Sequence, residues 1–416
     1  MSVNFQISLN IPDIEILKVE KSKAEDFIIT VKSTKESCPC SKCGKEAKKI
    51  HGYGEPVILR HLSVFDQRVY LRIRPARYQC EYCQDRPTIT EETSWYNKRS
   101  KFTKAYEDYL MKMLINSTFT DVSLKEGVSY DDIEGVIDRQ IAKEVDWKNI
   151  QKLTVIGLDE IALKKGHKDF IVIISARVDE EIKVLSILPD REKKTVKSFI
   201  QGIPEDLKRT IKTACCDMYA GYINAVKETL GSQVTVVIDR FHVAKNYRKG
   251  VDSLRKQELK RLKKELSETE YKTLKGTMWA LRKKEEKLKE HDKKVLIQLF
   301  IYSPSLRQAY YFQNSLTAIF NKNINKQKAE VLIKKWIARV KLSALTCFDK
   351  FISTLTKHGS DILNYFCRKS RRNSGFVEGL NNKIKVIKRR CYGIFNLEKL
   401  FQRIFLDIEG YARFAH

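Results

Sequence analysis

Between Leu153 and Val243, five apolar, β-branched runs follow one another at spacings that only a few architectures can satisfy. "LTVIGLDEIAL", "FIVIISARV" and "IKVLSILPD" are separated only by the short turns "KKGHKD" and "DEE". Connections that short join antiparallel neighbours, so these three predict a meander. "RTIKTACCD" and "QVTVVIDRFHV" instead follow the amphipathic stretches "TVKSFIQGI" and "AGYINAVKETLG". Strands reached through a helix pair in parallel. The expected fold is α/β, built on a mixed five-stranded sheet.

Two acids sit oddly in these runs. Asp159 interrupts the first strand where charge is costly, and Asp217 ends the fourth. A single aspartate at a strand end ordinarily caps a turn. Carboxylates on neighbouring strands, joined by a third from a packed helix, can instead bind two Mg²⁺ ions, or Mn²⁺ in their place, because hard cations prefer oxygen ligands. Two such ions about 4 Å apart activate the attacking oxygen of a phosphodiester reaction and stabilise the leaving one. Glu160 is expected on the opposite face of the strand. Asp239 and His242 form a second polar cluster, fit either to assist catalysis or to cap the following helix.

The third acid comes from "NSGFVEGLNNKIKVIKRRCYG", residues 373–393. At about 100° per residue, Val377, Leu380, Ile384 and Ile387 make an apolar stripe. Glu378, Asn382, Lys385 and Arg389 make a second stripe roughly 150° away. Asn373 or Ser374 is the expected N-cap and Gly393 the stop. One acid at the head of a cationic ladder suits a surface that holds a metal ion beside a polyanion. Glu378 is therefore the third ligand, and Arg371, Arg372, Asn382, Lys383, Lys385, Lys388, Arg389 and Arg390 are the candidate nucleic-acid contacts.

Composition agrees. A net charge of +27, from 79 Lys plus Arg against 52 Asp plus Glu, exceeds what solubility requires and predicts a polyanionic partner. The apolar runs stop near eight residues, too short for a membrane span, and "MSVNFQISLNIPD" has no signal-peptide pattern. We expect a cytoplasmic, nucleoid-associated protein whose ten cysteines are reduced, buried or metal-bound.

Residues 1–95 contain short strands and two pairs, Cys40-x-x-Cys43 and Cys80-x-x-Cys83, suited to a closed Cys₄ site for structural Zn²⁺. Cys38 is a spare that can replace Cys40. His51 and His61 are expected to be exposed or DNA-facing. Residues 96–150 are helical with a turn at Gly127, at the spacing of a helix-turn-helix. Asp131, Asp132 and Glu134 would repel phosphates there, so a packing or dimerisation unit is an equal reading. Residues 151–243 carry the first part of the sheet domain, and residues 244–365 form an all-helical insertion rich in Lys, Glu and Leu. Residues 366–416 return to the sheet domain with Glu378.

The motifs "CSKCG…CEYC", "VIGLDEIAL", "CCDMYAGY", "VIDRFHV" and "GFVEGLNNKIKVIKRRCYG" resemble those of the bacterial insertion sequence L three transposases, over nearly the whole chain. The resemblance implies a DDE transposase with a ribonuclease H-like core, split by a helical insertion. Its triad would fall on Asp159, Asp217 and Glu378, and its zinc motif on Cys40, Cys43, Cys80 and Cys83. "DRFH" is similar to the Asp/Cys-x-x-His signature of transposases with helical insertions, matching Asp239 and His242. Some of those use an insertion-domain Trp to steady a flipped base. Trp279 is the candidate here, with core packing as the other reading. The implied activity is binding of terminal inverted repeats in double-stranded DNA, cleavage at the ends and joining of 3′-hydroxyls to target DNA, by a homodimer or larger assembly. A DNA-binding regulator with an inert core, or a nuclease without strand transfer, would share the charge and the zinc.

Overall fold

The computed structural model describes residues 9–163, 170–178, 181–367, 375–391 and 393–415, except for the side chain of Glu378. Arg371, Arg372, Asn373 and Ser374 lie outside the described residues. The chain forms two compact units, Met1–Ala142 with Phe405–His416, and Lys143–Ile404.

In the first unit a four-stranded sheet runs in the order Ile14–Lys21, Phe27–Ser33, Gln67–Ile73, Val57–Val64. The stretch "RVYLRIRPARYQC" divides at Pro75: Gln67–Ile73 joins this sheet, while Ala76–Gln79 pairs between Lys49–Tyr53 and Thr88–Thr90 in another. Proline has no N–H to continue a ladder. Helices Lys104–Leu114, Phe119–Glu126 and Tyr130–Gln140 follow, packed through Tyr106, Leu110, Leu114, Ile133 and Val136. Gly127 takes φ 61° at the turn between the last two, a conformation glycine adopts without strain. Arg60 ties sheet to helices: it lies 4.6 Å from the Tyr106 ring centre and 3.3 Å from Glu126 Oε2. His51 is exposed, but His61 is buried with Nδ1 2.9 Å from Thr103 Oγ1, which corrects its expected exposure.

The second unit is built on a mixed five-stranded sheet in the order Glu181–Leu188, Phe170–Val178, Val155–Ala162, Thr213–Cys216, Thr235–Ile238. The first three strands are antiparallel neighbours and the last two are added in parallel. This is the ribonuclease H-like arrangement that the turn lengths and helical crossovers predict. Two local expectations fail. "RTIKTACCD" begins as the end of a short helix, Glu205–Thr210, and becomes a strand only at Thr213. "QVTVVIDRFHV" is a strand only to Ile238, because Asp239 caps a 26-residue helix, Arg240–Glu265.

That helix enters an all-helical region that ends with Asp349–Leu363. Its near half shares the core of the sheet through Phe312, Leu316, Phe320, Trp336, Phe348 and Phe351. Its far half has a core of its own around Leu262, Leu281, Leu299 and Leu306. Gly250 permits a close crossing, since a Cβ there would stand 2.0 Å from the Cys347 carbonyl oxygen. Helices Gly375–Arg390 and Leu397–Phe414 follow. No described helix is long and apolar enough to cross a membrane.

Candidate functional site

The parallel ladder brings the two aspartates together. Gly157 pairs with Cys215, so two residues further along Asp159 lies level with Asp217, which follows directly on the end of the adjacent strand. Cys216 pairs with Ile238, which puts Asp239 next in the row. Strand Val155–Ala162 is buried along most of its length because it is central in the sheet, and Asp159 is buried with it.

A buried carboxylate needs donors, and Asp159 has them. Its Oδ1 accepts from the Glu160 amide at 2.7 Å and lies 3.8 Å from His242 Nε2. Its Oδ2 accepts from the side-chain amide of Asn381. Asp217 sits just past its strand, half-buried, and accepts from the Tyr219 amide at 2.8 Å. Burial pushes the Asp217 carboxyl above its ordinary range. The Tyr219 amide and the His242 charge pull it down, while the charges of Glu160 and Asp159 push it further up.

Asp239 accepts from the Phe241 amide at 3.0 Å, so the capping role holds for it. The cap aims the first helical turn so that His242 faces Asp159. Burial resists charging of the His242 ring. The hydrogen bond and charge of Asp159, with the charges of Asp217 and Asp239, outweigh it and hold the imidazole above its ordinary value. Glu160 is engaged separately, 3.1 Å from Arg191, whose guanidinium lies 5.3 and 5.1 Å from the ring centres of Phe170 and Tyr219.

Helix Gly375–Arg390 lies along the strand that carries Asp159. Val377, Leu380, Ile384 and Ile387 are all buried, as the apolar stripe predicts. Val377 and Phe376 pack at Gly157, Asn381 meets Asp159, and the Lys388 ammonium donates to the Ala162 carbonyl. The spacings agree: five strand residues span about 17 Å and eleven helix residues also span about 17 Å. Helix and strand therefore run in register. Glu378 lies in this helix between Val377 and Asn381. Asn382, Lys383, Lys385 and Arg389 are exposed. Lys388 and Arg390 are partly buried, and Lys388 is turned onto the strand end, which removes it from the exposed ladder. Gly393, at φ 94°, follows the helix and donates its amide to the Lys388 carbonyl at 3.2 Å. The sequence pattern gave no sign of Asn381. At about 40° on the helical wheel it lies on the border of the apolar stripe, and only its i+7 partner Lys388 shares that border.

In the first unit Cys40, Cys43, Cys80 and Cys83 gather with their Sγ atoms all within 4.8 Å of one another. Cys40 to Cys83 is 3.9 Å and Cys43 to Cys80 is 3.7 Å. Zn–S bonds of about 2.3 Å in a tetrahedron require S···S of about 3.8 Å. The amides of Cys43 and Lys42 lower the Cys40 thiol to about 7. Hydrogen bonding with Cys43, together with burial, pushes the Cys83 thiol up to about 12. Cys38 is buried in a two-strand hairpin and lies outside this group.

Trp279 is 61% exposed, which excludes the core reading. It borders a recess with Arg255, Tyr271, Lys272 and Lys275. In the helical trio of the first unit, Asp132 is engaged by Lys101 at 2.9 Å and by the capping Ser129, which offsets part of the acidity of the third helix.

Comparison with known proteins finds matches along most of the chain. Residues 156–404 match a family described as transposase. Residues 91–141 match the helix-turn-helix domain of transposase family ISL3. Residues 36–83 match the zinc finger of the transposases of IS204, IS1001, IS1096 and IS1165. The transposase for insertion sequence element IS1001 of Bordetella parapertussis is 26% identical over 391 residues, 92% of each chain. The transposase for insertion sequence element IS1557 of Mycobacterium tuberculosis is 20% identical over 426 residues, covering 96% of this chain and 93% of that one.

Proposed function

The chain belongs to the ISL3 transposase family, and from that premise we propose that it binds the terminal inverted repeats of its element, cleaves at their ends and joins the freed 3′-hydroxyls to target DNA. The observation that carries this reading is the nearness of Asp159, on the central strand, to Asp217, just past the end of the neighbouring strand, with the Glu378 helix lying along the first of them. The donor set is carboxylate oxygen, which fits Mg²⁺ or Mn²⁺, and Asp159, Asp217 and Glu378 would hold the ions. When bound, a pair of such ions activates the attacking oxygen and neutralises charge on the leaving one.

The protein's own groups supply orientation. The Glu160 amide holds the Asp159 carboxylate, and the Tyr219 amide holds Asp217. His242 and Asp239 support the same edge of the sheet as accessory groups. Water or a 3′-hydroxyl attacks in line, with no covalent protein intermediate. Asn382, Lys383, Lys385, Arg389 and Arg390 are the proposed backbone contacts, with Arg371 and Arg372 preceding them in sequence, while Lys388 is engaged by the Ala162 carbonyl. The recess at Trp279, where Tyr271, Leu274 and Met278 lie beside Arg255, Lys272 and Lys275, is suited to stacking a base. Residues 1–95, with structural Zn²⁺ on Cys40, Cys43, Cys80 and Cys83, and residues 96–150 would read the ends. Residues 151–243 and 366–416 would form the catalytic core, and 244–365 the insertion. Synapsis of two ends calls for at least a dimer.

The test uses a duplex containing the DNA that flanks the gene. Mg²⁺-dependent cutting and joined products are expected, both lost in Asp217→Asn while DNA binding is kept. Binding without cutting would instead identify a regulator with an inert core, and cutting without joined products a nuclease.

A further inference from the structure

Nothing in the reaction as proposed requires a neutral side chain against Asp159, yet Asn381 is 3% exposed and its amide is spent on that carboxylate. Burying an amide is costly unless it is paired. Its partner is an acid whose other oxygen is already satisfied by a main-chain amide. The donor therefore fixes the rotation of the Asp159 carboxylate. It does so from the helix that also carries Glu378, three residues earlier.

We propose that Asn381 is a positioning residue: its bond to Asp159 Oδ2 sets the orientation of that carboxylate and holds the Glu378 helix at its working height along the strand. Two further contacts give that height meaning. Gly157 lets Phe376 and Val377 seat against the strand, and Lys388 grips the Ala162 carbonyl beyond. Apolar seat and lysine grip restrain the two ends of the helix, and Asn381 is the contact between them that touches a proposed metal ligand. Partners of ligating carboxylates orient them, and losing one typically weakens metal binding about 10- to 100-fold.

This inference rests on the proposed role of Asp159, so the experiment separates the two. Mn²⁺ alone is titrated into the full-length protein, and free Mn²⁺ is followed by its electron paramagnetic resonance signal, for wild type, Asp159→Asn, Asn381→Leu and Asn381→Ser. Melting is recorded without added Mn²⁺. Asp159→Asn is expected to abolish tight Mn²⁺ binding. Asn381→Leu should shift half-saturation upward by at least about tenfold, and excess Mn²⁺ should restore cleavage of the flanking-DNA duplex. Asn381→Ser, small enough to fit and still a donor, should fall between wild type and Asn381→Leu. It carries the test alone should Asn381→Leu fail to fold. If Asp159→Asn binds Mn²⁺ like wild type, the underlying site reading fails. If Asp159→Asn loses binding while the folded Asn381 variants match wild type, the role of Asn381 alone is refuted.

Discussion

Replacing Gly157 by alanine should unseat the Glu378 helix without touching an acid. A Cβ at Gly157 would stand 2.5 Å from Val377 Cγ2, 2.9 Å from Ser175 Oγ and 3.0 Å from Phe376 Cζ. Carbon atoms pack at about 3.5–4.0 Å, so the Val377 contact alone must open by about 1 Å. Overpacking of this kind costs about 1–3 kcal/mol. For a unit of this size, that corresponds to a melting decrease of roughly 2–12 °C. The catalytic effect should be larger, because a displacement of about 1 Å at a reacting centre can cost on the order of 10²-fold in rate. Val377→Ala alone should cost about 1.6 kcal/mol for two methyl groups, plus a cavity term. Together the two changes should compensate, since the new methyl occupies the space the valine vacates. The assay is a double-mutant cycle, read by melting of the full chain and by cleavage of the flanking-DNA duplex. We expect a coupling of about 1–3 kcal/mol opposing the two single costs. Additivity within about 0.5 kcal/mol, or a wild-type cleavage rate in Gly157→Ala, would show that the helix is not seated on this glycine.

Zinc should be present at one ion per chain by elemental analysis, lost in Cys80→Ser and kept in Cys38→Ser, because Cys38 lies outside the four-thiol group. Loss of zinc in Cys38→Ser would contradict the ligand set. Burial lowers the His61 imidazole below its ordinary value, so the folded chain refuses a proton that the unfolded chain accepts below about pH 6.5. The stability His61 contributes is thus complete above that pH and declines as pH falls. Urea midpoints between pH 5 and pH 8 should slope less in His61→Gln, and an unchanged slope would exclude His61 as the source.

Much of the catalytic fold was legible because strand connections are short and their chemistry is local. Turns of a few residues dictate the antiparallel meander, and amphipathic segments dictate the parallel additions. The doubled Cys-x-x-Cys carried its metal geometry in its spacing. What stayed hidden depends on long-range packing. Nothing near His61 in sequence announces that it will be buried against Thr103, 42 residues away. The strand reading ran through Asp239 because apolar residues, Val236 to Ile238 before it and Phe241 and Val243 after it, lie on both sides, whereas the aspartate ends the strand by capping a helix. Trp279 is of a residue type common in cores but is exposed, lining a recess with Tyr271, Leu274 and Lys275. Asn381 was invisible for a related reason: a polar residue on the border of an apolar stripe gains meaning only from the strand beneath it, 222 residues earlier.

The central claim is that Asp159, Asp217 and Glu378 together hold the divalent cations. It is tested most directly by anomalous X-ray diffraction from crystals of the full chain with Mn²⁺ and the flanking-DNA duplex. The account predicts Mn²⁺ peaks bounded by all three carboxylates, beside the phosphodiester at the element's end. Mn²⁺ held by the two aspartates with the Glu378 carboxylate turned away from it, or no Mn²⁺ at this edge of the sheet, would contradict it.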